Sequence, residues 1–177
     1  MAEEAVNSGD IPGLLDVIEA KRRIARYVPE TPLYHYPSLD RLLDAQIYVK
    51  HENHHALGAF KVRGGVNLVS QLSEEERKLG VITASTGNHG QSIAYASGLL
   101  GVRAIIVVPE RANPSKVESI RNLGGEVVFH GKTFDDARKH VERLSKEGGY
   151  RYIHSADEPA LIAGVGTYTL EIIAPPP

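Results

Sequence analysis

The residues best placed to do chemistry lie in Gly58-Ala59-Phe60-Lys61-Val62-Arg63-Gly64-Gly65. Apolar residues recur at Phe60, Val62, Val66, Leu68, Val69 and Leu72. That spacing predicts a helix starting near Phe60, with Lys61 in its first turn. A helix N-terminus carries partial positive charge and disfavours an ammonium there. Condensing the amine with a carbonyl to give a Schiff base relieves the conflict and makes Lys61 a covalent catalyst. A solvated surface lysine is the competing reading of the octapeptide alone.

A second cluster, Ser85-Thr86-Gly87-Asn88-His89-Gly90-Gln91, follows the apolar run Val81–Ala84 and precedes a helical pattern through Ile93, Ala94, Ala96 and Leu99. A strand, a polar glycine-containing turn and a helix form an anion site. Backbone N–H groups and the Ser85 and Thr86 hydroxyls can converge on a carboxylate or phosphate at the helix start. One polar residue suffices for an ordinary N-cap. Ser, Thr, Asn, His and Gln crowded into one turn point to a site.

Other reactive groups carry less. His51, His54 and His55 beside Glu52 lack a recognised zinc spacing, so no metal is expected. The absence of cysteine excludes disulfides and thiolate ligands or nucleophiles. A net charge of −2 offers no electrostatic case for nucleic acid or anionic membrane. There is no membrane-length apolar run and no signal-peptide pattern at Met1-Ala2-Glu3-Glu4, so a cytoplasmic protein is expected. With 177 residues, 42% of them hydrophobic, the chain can build one sizeable core.

The elements that must position these groups read as follows. Met1 to Asp10 is polar and expected to fray. A helix runs from Ile11-Pro12 to about Tyr27, with an apolar stripe at Leu14, Leu15, Ile18, Ala20 and Ile24. Pro29 to Tyr34 is extended. Ser38 caps a short helix through Leu43, and Gln46–Val49 is a strand. Ser73-Glu74-Glu75-Glu76 is a capping box. Strands at Val81–Ala84, Arg103–Val108, Glu126–His130 and Tyr150–His154 then alternate with helices at Asn88–Leu100, Pro114–Leu123 and Phe134–Lys146. Asn113 caps the second of these helices, with Pro114 at its first position. The alternation predicts an α/β fold with an open parallel sheet of right-handed βαβ units. A final apolar helix covers Leu161 to Ile173.

Gly-Ala-Phe-Lys-Val-Arg-Gly-Gly followed by Ala-Ser-Thr-Gly-Asn-His-Gly-Gln resembles the fold-type II pyridoxal-phosphate enzymes, specifically the threonine/serine dehydratase and serine racemase family. The likeness runs from about Ile18 to Pro177. It includes Lys50-His51-Glu52-Asn53, Pro109 with Lys116, and Asp157-Glu158-Pro159 to Gly164-Val165-Gly166-Thr167. The resemblance implies pyridoxal 5′-phosphate held on Lys61, with Phe60 near the cofactor ring and Asn88 on its 3-hydroxyl. Ser85, Thr86, Gly87, Asn88 and His89 would hold the carboxylate of an amino-acid substrate. It implies dehydration and deamination of a hydroxy-amino acid such as threonine or serine to a 2-oxo acid and ammonia, by a homodimer. It reads residues 1–52 as the start of a larger domain, 53–156 as a smaller α/β domain, and 157–177 as the return into the larger one. Pro109 and Lys116 are expected to be architectural.

The sequence departs from the family in three places. His55-Ala56-Leu57-Gly58 replaces a Pro-Thr-Gly run, Val165 stands where glutamine is usual, and no downstream glycine-rich phosphate loop precedes Pro175-Pro176-Pro177. A non-catalytic fragment is therefore an alternative, as are a serine racemase, a hydroxyaspartate dehydratase and a threonine-synthase-like enzyme. Thr86, where the racemases carry a second serine, favours elimination. A nucleotide-binding fold is disfavoured, because no Gly-x-Gly-x-x-Gly follows a strand and Gly64-Gly65 falls inside a helix.

Overall fold

A computed structural model describes residues 11–174, so the expected fraying of Met1 to Asp10 and the terminal prolines lie outside the described residues. The segment before Lys61 holds helix α1 (Leu14–Ile24), strand β1 (Leu33–His35), helix α2 (Pro37–Leu43) and strand β2 (Tyr48–Lys50). A 3-10 turn at Glu52–His54 follows. The two strands pair antiparallel, Leu33 opposite Lys50. Two sequence expectations change here. Helix α2 starts on Pro37 with Tyr36 as its cap, not Ser38, because proline at the first helical position has no N–H to leave unsatisfied. In α1 only Ala20 and Ile24 are buried. Leu14 and Leu15 are 64% and 76% exposed, since the helix is covered along its C-terminal half alone.

Helix α3 (Lys61–Val69) begins one residue after Phe60, and every residue from Val62 to Val69 is buried. Helix α4 (Glu74–Leu79) carries the anticipated capping box, with Ser73 and Glu76 bonding reciprocally. Then come β3 (Val81–Ala84), α5 (Asn88–Leu100), β4 (Ala104–Val108), α6 (Pro114–Asn122), β5 (Glu126–Phe129), α7 (Phe134–Gly148), β6 (Arg151–Tyr152) and α8 (Pro159–Ile173). Asn113 Oδ1 accepts from Ser115 N and caps α6.

The sheet is four-stranded and parallel, in the order β5-β4-β3-β6. The chain steps outward from β3 to β5, then crosses back to place β6 on the other side of β3. Alternate residues feed two cores, as strand geometry requires. Val81, Ala104, Ile106 and Val108 pack with residues of α3, α5 and α6, whereas Ile82, Ala84, Ile105 and Val107 pack with Ala137 and Val141 of α7.

The glycine pair behind Lys61 serves this packing. A Cβ on Gly64 would stand 2.8 Å from the Leu161 carbonyl oxygen of α8, and one on Gly65 would stand 2.2 Å from Ser92 Oγ of α5. From the facing side, a Cβ on Gly164 would stand 2.6 Å from the Arg63 carbonyl oxygen. Helix α3 is thus wedged between α5 and α8 at backbone contact, which fixes where its first turn points.

The candidate active site

A parallel sheet whose strand order reverses beside β3 leaves a crevice at the carboxyl ends of β3 and β6, the usual place for a site in an open α/β sheet. A cleft of about 160 Å³ lies there. Phe60, Lys61 and Gly64 line it from α3, and His89 from α5. Ser155 and Ala156 line it from the loop after β6, and Leu161, Ile162 and Val165 from α8. Lys61 is its one lysine or arginine among the described residues. The Lys61 carbonyl accepts a 2.5 Å hydrogen bond from Ser92 Oγ, so α5 pins the first turn of α3. Nζ of Lys61 lies 5.6 Å from the Phe60 ring centroid, and that ring meets Tyr168 of α8 edge-on at 6.2 Å.

The turn between β3 and α5 is built from within. Ser85 Oγ accepts from Gly90 N at 2.8 Å and from Gly87 N at 3.2 Å. Two amides are thereby drawn inward. The amides of Thr86, Asn88 and His89 have no acceptor among the described residues, and they sit at the positive end of α5. Of the residues predicted for a carboxylate, Ser85 and the Gly87 amide are thus turned into the loop, while Thr86 and Asn88 are exposed. Nothing within 4 Å crowds the Cβ position of Gly87. Asn88 Oδ1 faces Lys116 Nζ at 3.4 Å, and the Asn88 Nδ2 donors have no partner among the described residues.

His89 is buried. Its Nε2 lies 3.0 Å from Thr83 Oγ1, whose own proton goes to the Ile153 carbonyl at 2.8 Å. Burial, then the Lys61 charge and His154, push the His89 imidazole down to about 4, so it is neutral near pH 7. His154 is oriented as well, with Nδ1 accepting from Asp157 N at 2.8 Å and Ala156 N at 3.2 Å.

Behind the cleft, Arg63 anchors the lysine helix. It is 1% exposed and bonds Glu52 through Nε (2.7 Å) and Nη2 (2.8 Å), and Glu171 through Nη1 (2.6 Å) and Nη2 (2.9 Å). Lys50 Nζ joins Glu171 at 2.5 Å, and Thr31 Oγ1 donates to Glu52 at 2.6 Å. Two cations and two carboxylates balance in the interior. Glu52 is held well below the usual carboxylate range. Burial raises it, and the close approach of His55 together with hydrogen bonds from Arg63 and Thr31 outweighs burial.

The histidines near residue 51 have structural partners. His51 Nε2 lies 2.8 Å from Tyr36 Oη, and His55 Nε2 sits 3.3 Å from Glu52 Oε2, too far off line to hydrogen-bond. Among the described residues no three His, Cys, Asp or Glu side chains are grouped to hold a metal ion. No described helix is long and apolar enough to cross a membrane.

The structure therefore gathers Phe60, Lys61 and His89 in one cleft and sets the turn of Ser85, Thr86, Gly87 and Asn88 beside it. Sequence reasoning missed Ser155 and Ala156, the far wall, because nothing local marks a two-residue stretch as facing a lysine on another helix. Lys116, expected to be architectural, lies 3.4 Å from Asn88 Oδ1 across the gap between α6 and α5.

Residues 24–175 match the family model described as pyridoxal-phosphate dependent enzyme. The chain is 41% identical over 160 residues to the L-threonine ammonia-lyase of Thermotoga maritima, covering 90% of this chain and 40% of that one. It is 41% identical over 163 residues to the L-threo-3-hydroxyaspartate ammonia-lyase of Saccharomyces cerevisiae, covering 92% and 50%. The structure of maize serine racemase superposes with a TM-score of 0.88 at 34% identity, over 92% of this chain and 49% of that one. The chain thus spans half or less of the length of these relatives.

Proposed function

The chain belongs to the pyridoxal-phosphate dependent enzyme family, and from that premise we propose that it carries the lysine side of a site for β-elimination from hydroxy-amino acids. The substrate is an amino acid such as threonine or serine. It loses its α-proton and β-hydroxyl as water, then takes up water and releases ammonia, leaving a 2-oxo acid. The observation that carries this reading is a lone lysine at a helix start, facing an apolar cleft beside a turn with free amides.

The residues present fit the cofactor. An amine opens onto a cleft walled by Phe60, Leu161, Ile162 and Val165, the apolar lining that an aromatic ring requires. Asn88 presents Nδ2 donors beside a lysine, suited to an anionic ring oxygen. Pyridoxal phosphate, when bound, supplies an electron sink for the α-carbon.

Lys61 would hold the cofactor at Nζ and, once free, take the α-proton at the same atom. Phe60 would pack near the ring. Asn88 would orient it through Nδ2. Ser85, Thr86, Gly87, Asn88 and His89 would hold the substrate carboxylate. In this set the amides of Thr86, Asn88 and His89 are the free donors, and Ser85 shapes the turn that presents them. Leu161, Ile162 and Val165 exclude water from one side. The reading carries a cytoplasmic homodimer and the division of the chain at 52/53 and 156/157.

The test is a visible spectrum of the chain with added pyridoxal phosphate, followed by borohydride reduction and peptide mapping. Label on Lys61 that Lys61→Ala abolishes supports the reading. Label on other lysines of the folded chain, with Lys61 unmodified, overturns it. Threonine and serine are then assayed for 2-oxo acid release.

A further inference from the structure

A hydroxyl has one proton to give and lone pairs to accept with. Thr83 Oγ1, fully buried on β3, gives its proton to the Ile153 carbonyl, so toward His89 it can act only as an acceptor. The partnered nitrogen of His89 must then be Nε2–H. In the neutral ring the proton cannot also be on Nδ1. Nδ1 has no partner among the described residues and is not sealed in the interior, and the ring lines the cleft that holds Lys61.

We infer that Thr83 is a positioning residue, which fixes the His89 tautomer so that Nδ1 meets the Lys61 cleft as a lone-pair acceptor. Thr83 makes no contact with the cleft itself and acts through His89. The same hydroxyl ties β3 to the carbonyl of Ile153, two residues before Ser155, so one buried group sets both the turn before α5 and the loop after β6. Burial and the nearby Lys61 charge keep the ring neutral, which is the state in which tautomer choice matters.

The consequence for Lys61, which rests on the proposed function, is one of lone pairs. An Nδ1–H directed into the cleft would donate to a neutral amine and tie up the electron pair it needs to attack a carbonyl or take a proton. An Nδ1 lone pair can only accept an N–H from the amine, and the amine's own pair stays available.

The experiment has two arms. Long-range nitrogen–proton NMR is recorded on the chain without cofactor, with His89→Asn assigning the signal. The expected result is a protonated nitrogen coupled to both ring carbon protons, which is Nε2. A proton on Nδ1 in the wild-type chain overturns the inference and leaves the proposed function untouched. Thr83→Val removes the acceptor and should move the proton to Nδ1, while Thr83→Ser should keep it on Nε2. A Thr83→Val chain with an unchanged tautomer also overturns the inference.

The second arm follows borohydride trapping of pyridoxal phosphate on Lys61. It should slow about tenfold in Thr83→Val, the effect of one misdirected buried hydrogen bond, and recover in Thr83→Ser. Unchanged trapping in a variant whose tautomer has moved overturns the positioning role. Absence of trapping in the wild-type chain overturns the proposed function, and the ring nitrogens still decide the lock.

Discussion

Arg63 and Glu171 stand 108 residues apart in sequence and meet in the interior through paired hydrogen bonds of 2.6 and 2.9 Å. The pair joins the helix that carries Lys61 to the last helix of the chain, which lines the same cleft. Its energetics are those of a balanced cluster. Each carboxylate has two cationic or hydroxyl partners, and the guanidinium spends its donors on Glu52, Glu171 and Thr167.

Removing one member leaves buried charge short of its partners. Arg63→Met should destabilise the fold by about 3–5 kcal/mol, because two buried carboxylates lose their main partner. Urea unfolding of the two chains side by side measures it. A difference below about 1 kcal/mol would mean that water reaches the cluster and the ion pairs are solvated.

The backbone contact between α3 and α8 is equally exposed to a small change. Gly164→Ala places a methyl group against the Arg63 carbonyl, Asn67 Cβ and Gly64 Cα. A cost of about 1–3 kcal/mol is expected, because neither helix can move without opening the core. Thermal unfolding reads it, and weaker cofactor loading should accompany it, since α3 and α8 form facing walls of the cleft.

Asn88 and Lys116 should act as a pair on the cofactor ring. Asn88→Ala is expected to weaken pyridoxal phosphate binding by about tenfold and to shift its visible band, the effect of one charge-assisted hydrogen bond. Lys116→Met should weaken it by a smaller factor, because its contact is with the asparagine. In the double variant the two losses should fall short of additive, as neighbours in one network do. Full additivity, measured by fluorescence titration, would separate the two residues.

Acid stability has a sign that the site predicts. The folded His89 sits at about 4, below the ordinary 6.5 of an unfolded histidine. Between those values the unfolded chain takes up a proton that the folded one refuses, so stability falls as the pH drops from 6.5 toward 4, by up to about 3 kcal/mol. Glu52 and Glu171 are also depressed. For Glu171 burial raises the carboxyl, and Arg63 and Lys50 more than offset it. Their contribution is present above the unfolded carboxylate range near 4.3 and disappears below it as the folded carboxylates take up protons. The acid limb should therefore have two parts, and His89→Asn should flatten the first. An unaltered slope between pH 6.5 and 4 in that variant would mean that His89 titrates normally in the fold.

Much of this molecule is legible in its residues. Short apolar runs bounded by glycine and proline place β3 and β4 within a residue of their observed ends, because a strand buried on both faces leaves little freedom in composition. Ser73 and Asn113 mark helix ends through hydrogen bonds that are local. The lysine octapeptide and the Ser-Thr-Gly-Asn-His turn carry the resemblance to the pyridoxal-phosphate dependent enzymes, the family whose model matches residues 24–175. Tertiary structure decided the rest. Leu14 and Leu15 match a buried stripe yet lie exposed, because periodicity says which face is apolar and not whether anything covers it. Ser85 faces inward to its own loop, Lys116 reaches Asn88 from another helix, and Thr83 finds a carbonyl 70 residues away. A donor's partner across the sheet depends on how helices pack and where strand order reverses, and no local run of sequence encodes either.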